Sequence, residues 1–211
     1  LALQLFSASL KKELRKIPAP AIPFSEKETK QFVGALPFTL TDGQRKAAWE
    51  ILGDLSGRHR ESGIRNHELG IVRPMNRLLE GDVGSGKTVV VAIAALNAVL
   101  GALPSPGLRP PSPGGRGEGE GGGQVAIMAP TEILARQHFV TFAKLLGPMG
   151  GRVGLITQGA MRISESGIRN QELGSRKDHN SKFIIHNSDV VIGTHALIQK
   201  NVKFKHLAYV I

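Results

Sequence analysis

The sequence predicts an α/β protein built on a central, mostly parallel sheet. Two observations predict it. Gly81-Asp82-Val83-Gly84-Ser85-Gly86-Lys87-Thr88 is a complete G-x-x-x-x-G-K-[ST] loop, with an apolar run on each side of it. Downstream, short β-branched runs alternate with longer segments of helical spacing, and repeated β-then-α units argue for a parallel sheet covered on both faces.

The elements follow in order. Leu1 to Lys16 has helical spacing, with Leu3, Phe6, Leu10 and Leu14 near one face and a basic end. Pro18, Pro20 and Pro23 break it. Ser25 is placed to cap a second helix with Glu26 and Glu28 in its first turn. After Leu36-Pro37-Phe38, Thr41 or Asp42 can cap a third, whose apolar stripe is Ala47, Ala48, Ile51, Leu52 and Leu55, with Trp49 close by. Arg77 to Glu80 reads as a short buried strand, and Val89 to Leu100 as an Ala-rich helix. Gln124 to Ala129 is a buried strand. Thr131 to Leu146 is a helix with Ile133, Leu134 and Phe142 inward. Arg152 to Thr157, Asp189 to Gly193 and Leu207 to Ile211 are further strands.

The loop between strand and helix is suited to an anion. Its glycines let the backbone curl so that N–H groups point inward, and the helix N-terminus adds partial positive charge. In such loops the lysine, here Lys87, reaches the β- and γ-phosphates, and the hydroxyl residue, here Thr88, holds Mg²⁺. In open parallel sheets ligands bind beyond the carboxyl ends of the strands. Gly81, Pro130 and Gly193 all fall on that rim. Thr131 and Glu132 open one helix there, and Thr194 and His195 open a shorter one. A hydroxyl and backbone N–H groups at a helix start suit a nucleic-acid phosphate, because they hold an anion without reading sequence. An ordinary capped helix uses Thr131 and Glu132 equally well. His195 has no second histidine or carboxylate at metal-ligand spacing, so no zinc site is expected.

Composition narrows the partner. Lysine and arginine number 27 against 17 acidic residues, a formal charge of +10, which favours a polyanion, nucleic acid first. The absence of cysteine excludes disulfides and thiolate metal sites. No apolar run is long enough to span a bilayer, and the charges near Leu1 to Leu10 follow it rather than precede it, the wrong polarity for a signal peptide. A cytoplasmic protein is expected. The chain starts at Leu1 and stops on an apolar run, so it reads as a fragment of a longer protein.

Three segments break the rhythm: 59–74, 104–123 and 164–188. The second is Pro- and Gly-rich and too simple to pack. The first and third share a ten-residue repeat, Glu61 to Gly70 and Glu165 to Gly174, which differs only at His67 against Gln171. Separated copies in different loops do not make a solenoid. They read as in-frame repetitive insertions, which surface loops tolerate because closure cost grows slowly with length. A duplicated binding loop is the rival reading.

Four stretches together resemble one family. Leu36 to Gln44 (LPFTLTDGQ), Gly81 to Val90 (GDVGSGKTVV), Met128 to His138 (MAPTEILARQH) and Val190 to Gln199 (VVIGTHALIQ) are similar to the first motifs of the RecG family of superfamily 2, ATP-dependent DNA helicases that remodel stalled forks and branched DNA. The resemblance implies a RecA-like P-loop NTPase lobe, preceded by a helical connector over 1–35 and running over 36–211. It implies ATP and Mg²⁺ as cofactors. Gln44 takes the place of the adenine-recognising glutamine, since an amide both donates to and accepts from the base edge. Gly81, Asp82, Val83, Gly84, Ser85, Gly86, Lys87 and Thr88 take the nucleotide loop, with Lys87 and Thr88 catalytic. Thr131, Glu132, Arg136, Thr194 and His195 take the DNA-contact positions. Where the family has Thr-Gly-Ser, this chain has Thr157-Gln158-Gly159-Ala160. A wedge domain upstream, and downstream the Asp-Glu-x-His acids and a second motor lobe, belong to the family and not to this chain, so the chain alone is expected to be catalytically inactive. The implied protein is a monomer acting on forked or branched DNA, with no membrane partner. The alternatives are a non-motor remnant of such a gene or another P-loop nucleotide-binding protein, a kinase for example.

Overall fold

The computed structural model describes residues 19–58, 71–72, 74–101, 123–158, 161–165, 169–172, 184–199 and 202–211. The helix expected over Leu1 to Lys16, the first repeat copy and nearly all of the Pro/Gly-rich segment lie outside the described residues.

Four helices and eight strands are described. Strand β1 (Ala19–Pro20) pairs antiparallel with β2 (Ile71–Val72) in a small separate ribbon. Helix α1 (Glu26–Gly34) follows Ser25, and α2 (Asp42–Leu55) follows Thr41. Helix α3 (Lys87–Gly101) leaves the phosphate loop. Then come β3 (Gln124–Met128), α4 (Glu132–Leu146), β4 (Val153–Ile156), β5 (Met161–Glu165), β6 (Arg169–Glu172), β7 (Val190–Gly193) and β8 (Leu207–Val210). The main sheet has the order β6-β5-β4-β7-β3-β8. The four strands β4, β7, β3 and β8 are parallel, and β5 and β6 add an antiparallel hairpin at one edge.

Alternation along the strands sorts the core into two layers. Val125, Ile127, Val153, Leu155, Val190 and Ile192 face the helices. Val191 and Ile156 face a second cluster with Ile184, Ile185, Ala196 and Leu197. Helices α3 and α4 thus lie on the same face, and among the described residues short turns carrying Ile184, Ile185, Ala196 and Leu197 pack on the opposite one. Helix α3 packs against β3 and β8 and also against α1, α2 and α4. Its Ala92, Ala94, Ala95 and Ala98 are fully buried, and their small side chains allow that crowding.

Several expectations are corrected. Arg77 to Glu80 is not a strand: these residues run as irregular chain outside any ladder, and Leu78 is 82% exposed. A strand needs a hydrogen-bonding neighbour, and no described strand lies beside this one. Ile133 (78% exposed) and Leu134 (37%) do not face inward. The buried stripe of α4 is Ala135, Phe139, Phe142 and Leu146, and at 100° per residue both positions fall off it. Ser25 precedes α1 but its hydroxyl does not cap it. Its backbone N–H is instead drawn to Asn97 Oδ1 at 2.9 Å. The polar stretches are also less loop-like than expected. Ile71–Val72 forms β2, β6 falls inside the second repeat copy, and residues 184–187 form a helical turn. There Gln124 Nε2 donates to the carbonyls of Ile185 (2.6 Å) and Ser188 (3.1 Å).

Candidate nucleotide site and strand-end rim

Helix α2 begins with a closed capping box. Gln44 N–H donates to Thr41 Oγ1 at 3.3 Å, and Thr41 N–H donates to Gln44 Oε1 at 2.9 Å. The same Gln44 amide reaches the glycine loop, Nε2 donating to Ser85 O at 2.8 Å. The box therefore fixes the rotamer of the side chain that touches the loop.

The loop curls because Gly84 (φ 85°) and Gly86 (φ 79°) are left-handed, a region that costs a residue with a Cβ. At Gly86 a Cβ would also stand 2.3 Å from Gln44 Nε2, so a side chain there would push that amide off Ser85 O. The turn closes with Ser85 N–H on Asp82 O (3.1 Å) and Val89 N–H on Gly86 O (3.0 Å). Lys87 Nζ folds back to donate to Gly81 O (2.6 Å) and Asp82 O (2.8 Å). Its ammonium is thus held over the loop by carbonyls rather than by an acid. Lys87 and Thr88 are half-buried, while Gly81 to Ser85 are exposed. The structure thus brings Gln44 and the loop from Gly81 to Lys87 together. A residue missed by the sequence reading stands just before them. Arg77, assigned to a buried strand, donates to Glu50 Oε2 at 2.9 Å and to Asp54 Oδ2, both on α2. A charged residue at the start of a supposed buried run was the available signal.

The second set of residues lies at the carboxyl ends of the parallel strands. Met128 N–H donates to Ile211 O (2.8 Å) and Ala129 N–H to Gly193 O (2.8 Å), so β8, β3 and β7 end level. Beyond them come Thr131 after β3, Thr194 after β7 and Thr157 after β4, on strands about 4.8 Å apart. Thr131 caps α4, its Oγ1 accepting from Leu134 N–H at 3.3 Å. Glu132 and Arg136 pair across one turn, with Arg136 Nε and Nη2 on Glu132 Oε1 at 3.0 and 2.6 Å. Thr194 is half-buried, and its hydroxyl does not cap the short 3-10 turn that follows; His195 is exposed. Thr157 is 2% exposed and so withdrawn from the surface. Gly193 is shaped by packing: a Cβ there would meet Ile156 O at 2.2 Å. Among the described residues no group of three or more His, Asp or Glu side chains is placed to hold a metal ion.

This geometry belongs to a known group. Residues 68–211 match the family model described as DEAD/DEAH box helicase. The chain belongs to that family. It is similar to the ATP-dependent DNA helicase RecG of Aquifex aeolicus, 39% identical over 95% of this chain and 20% of the relative. To RecG of Bacillus subtilis it is 37% identical over 89% of this chain and 21% of the relative. Among solved structures it is similar to RecG bound to a three-way DNA junction, with a TM-score of 0.68 and 32% identity over 99% of this chain and 22% of that one. The chain thus spans about a fifth of the length of the curated relatives it matches. The fold is the mixed α/β, RecA-like lobe of these helicases, and membership of the family implies use of ATP with a divalent metal. No described helix is long and apolar enough to cross a membrane.

Proposed function

We propose that this chain is the first, nucleotide-binding motor lobe of a RecG-type helicase, with ATP on the loop from Gly81 to Thr88. The observation that carries the reading is the contact of Gln44 with Ser85 O beside a curled, glycine-dependent loop. One face of that arrangement offers an amide to a base, and the other offers backbone N–H groups and Lys87 to phosphates. The residues present fit the nucleotide: among the described residues Lys87 is held by the carbonyls of Gly81 and Asp82, which an anionic phosphate would outcompete for the ammonium. Mg²⁺ would arrive with the triphosphate, and Thr88 is the side chain of this loop that would hold it. The metal would neutralise charge building on the phosphates during transfer.

Thr131, Glu132, Arg136, Thr194 and His195 would line the path of a DNA backbone along the strand-end rim. Thr131 can donate its hydroxyl proton while still capping α4. Arg136 would have to be shared with Glu132. The junction-bound RecG neighbour supports forked or branched DNA as the substrate of the whole protein. That protein would be a cytoplasmic monomer, with a wedge domain and a second motor lobe joined to this one. Residues 1–35 would be the connector and 36–211 the lobe, with inserted segments near 59–74, 104–123 and 164–188. The Glu132–Arg136 pair and the Thr131 cap favour a second reading, in which that turn is purely structural and the chain binds nucleotide without DNA.

Titration of the chain with a fluorescent ATP analogue in Mg²⁺, followed by a forked duplex, tests both parts. Saturable ATP binding abolished by Lys87→Ala supports the nucleotide site, and equal binding by both chains refutes it. DNA binding weakened by Thr131→Ala with Thr194→Ala supports the rim. Nucleotide binding without any DNA binding selects the second reading.

A further inference from the structure

Helix α2 meets the phosphate loop at one place and the segment that enters it at another. At its amino end Gln44 Nε2 donates to Ser85 O inside the loop. Near its carboxyl end Glu50 and Asp54, one turn apart on the same face, receive the guanidinium of Arg77. Nη1 lies 2.9 Å from Glu50 Oε2, and Nε donates to Asp54 Oδ2. Arg77 stands just upstream of Gly81, in the segment that enters the loop. That segment makes no ladder hydrogen bonds, so the sheet does not fix its distance from α2. Among the described residues of that segment, Met75 and Leu79 pack against the core. The planar fork of an arginine can hold two carboxylates at once, which a lysine point charge does with far less directional control. The Asp54 hydrogen bond, ahead of an opposing effect of burial, raises the Arg77 pKa above its ordinary value.

We propose that Arg77 is a positioning residue that, through Glu50 and Asp54, locks α2 and the phosphate loop into one unit, so that Gln44 and Lys87 engage the base and the phosphates of the same nucleotide together. The inference rests on the nucleotide reading given above. A single exposed ion pair has little effect on stability. Here the consequence is read in recognition, because the two ends of the ligand would be held by elements that this fork joins. Without it, each end of the nucleotide binds nearly as before, but the gain from binding both ends at once falls.

The experiment measures Mg²⁺-dependent affinities of the 211-residue chain for ATP and for inorganic triphosphate. The wild type, Arg77→Ala, Gln44→Ala and the double variant are compared. The expected result is a loss of about three- to tenfold in ATP affinity for Arg77→Ala, with inorganic triphosphate affected less than about twofold. The penalty of Gln44→Ala should shrink by a similar factor in the Arg77→Ala background. Glu50→Gln, which keeps the side-chain shape and removes one arm, should give a smaller loss of the same kind, and it serves if Arg77→Ala fails to fold. Additive penalties, or equal losses for ATP and inorganic triphosphate, would show that Arg77 only stabilises the fold and would overturn the proposal. Unchanged ATP affinity in Arg77→Ala and Glu50→Gln overturns it as well. Failure of the wild type to bind ATP sinks the nucleotide reading itself and this one with it.

Discussion

Asn97 sits in the most apolar of the described helices and is 1% exposed. Its amide is engaged at both ends: Oδ1 accepts from Ser25 N–H at 2.9 Å, and Nδ2 donates to Thr29 Oγ1 at 2.9 Å and to Ile93 O at 3.0 Å. Two of those bonds reach α1 and its entry, so one side chain pins α1 onto α3. Replacing it by alanine leaves the Ser25 N–H without its acceptor, which costs about 1–3 kcal/mol. The lost bond to Thr29 adds about 1 kcal/mol. The Thr29 hydroxyl keeps its own bond to Ser25 O at 2.7 Å, so it is not orphaned. Asn97→Ala is therefore expected to destabilise the protein by about 2–4 kcal/mol, or about 5–15 °C in melting temperature for a chain of this size. Asn97→Asp keeps the acceptor for Ser25 but turns carboxylate oxygen toward the Ile93 carbonyl. It should be worse than alanine at neutral pH and recover as acid protonates it. Urea unfolding followed by circular dichroism gives the free energies, and amide exchange at Ser25 reports the local tie. An Asn97→Ala protein within about 0.5 kcal/mol of wild type would refute the reasoning, since a change of that size is ordinary at an indifferent surface position.

Other outcomes follow from the packing. Gly193→Ala places a Cβ 2.2 Å from the backbone oxygen of Ile156 and 2.8 Å from Leu197 Cγ. A strand backbone cannot turn aside, so a loss of about 1–3 kcal/mol is expected, with faster amide exchange at Ala129, whose N–H bonds Gly193 O. Ile133→Lys should leave the unfolding midpoint within about 0.5 kcal/mol of wild type, whereas Phe142→Ala should cost about 3–5 kcal/mol, as denaturant titration of the pair would show. Burial raises the Tyr209 pKa above its ordinary 10.0, so the folded state keeps that proton more tightly than the unfolded one. The stability this gives is complete below the ordinary value and is lost as pH rises from there through the folded-state value. Tyr209→Phe should flatten the fall in urea midpoint measured above about pH 10.

Much of the site is legible in the order of residues alone. A glycine pattern fixes where the backbone must be left-handed, and Gly84 and Gly86 are so. A hydroxyl three residues before a glutamine is a capping box, and Thr41 and Gln44 form one. Period and breaker residues place β3, β4, β7, β8, α2, α3 and α4 within a few positions of where they lie. These features depend on neighbours in the chain, so the chain states them. What the sequence leaves open depends on partners far along it. Whether Arg77 to Glu80 becomes a strand depends on a neighbour to bond with. Which side of α4 is inward depends on where β4 and β7 stand, and in a linear string Ile133 and Leu134 are as apolar as Phe142. The Arg77 fork, the Asn97 clasp and the Gln124 bonds join residues from different elements, and a reading of chain neighbours alone does not reveal the partners of these polar side chains. Burial of a polar group is stable only when a distant partner meets it at hydrogen-bond distance. Local chemistry determined the loop, the Thr41 and Thr131 caps and most of the elements; only the tertiary structure decided which segments find a strand neighbour and which charged and amide groups the elements bring face to face.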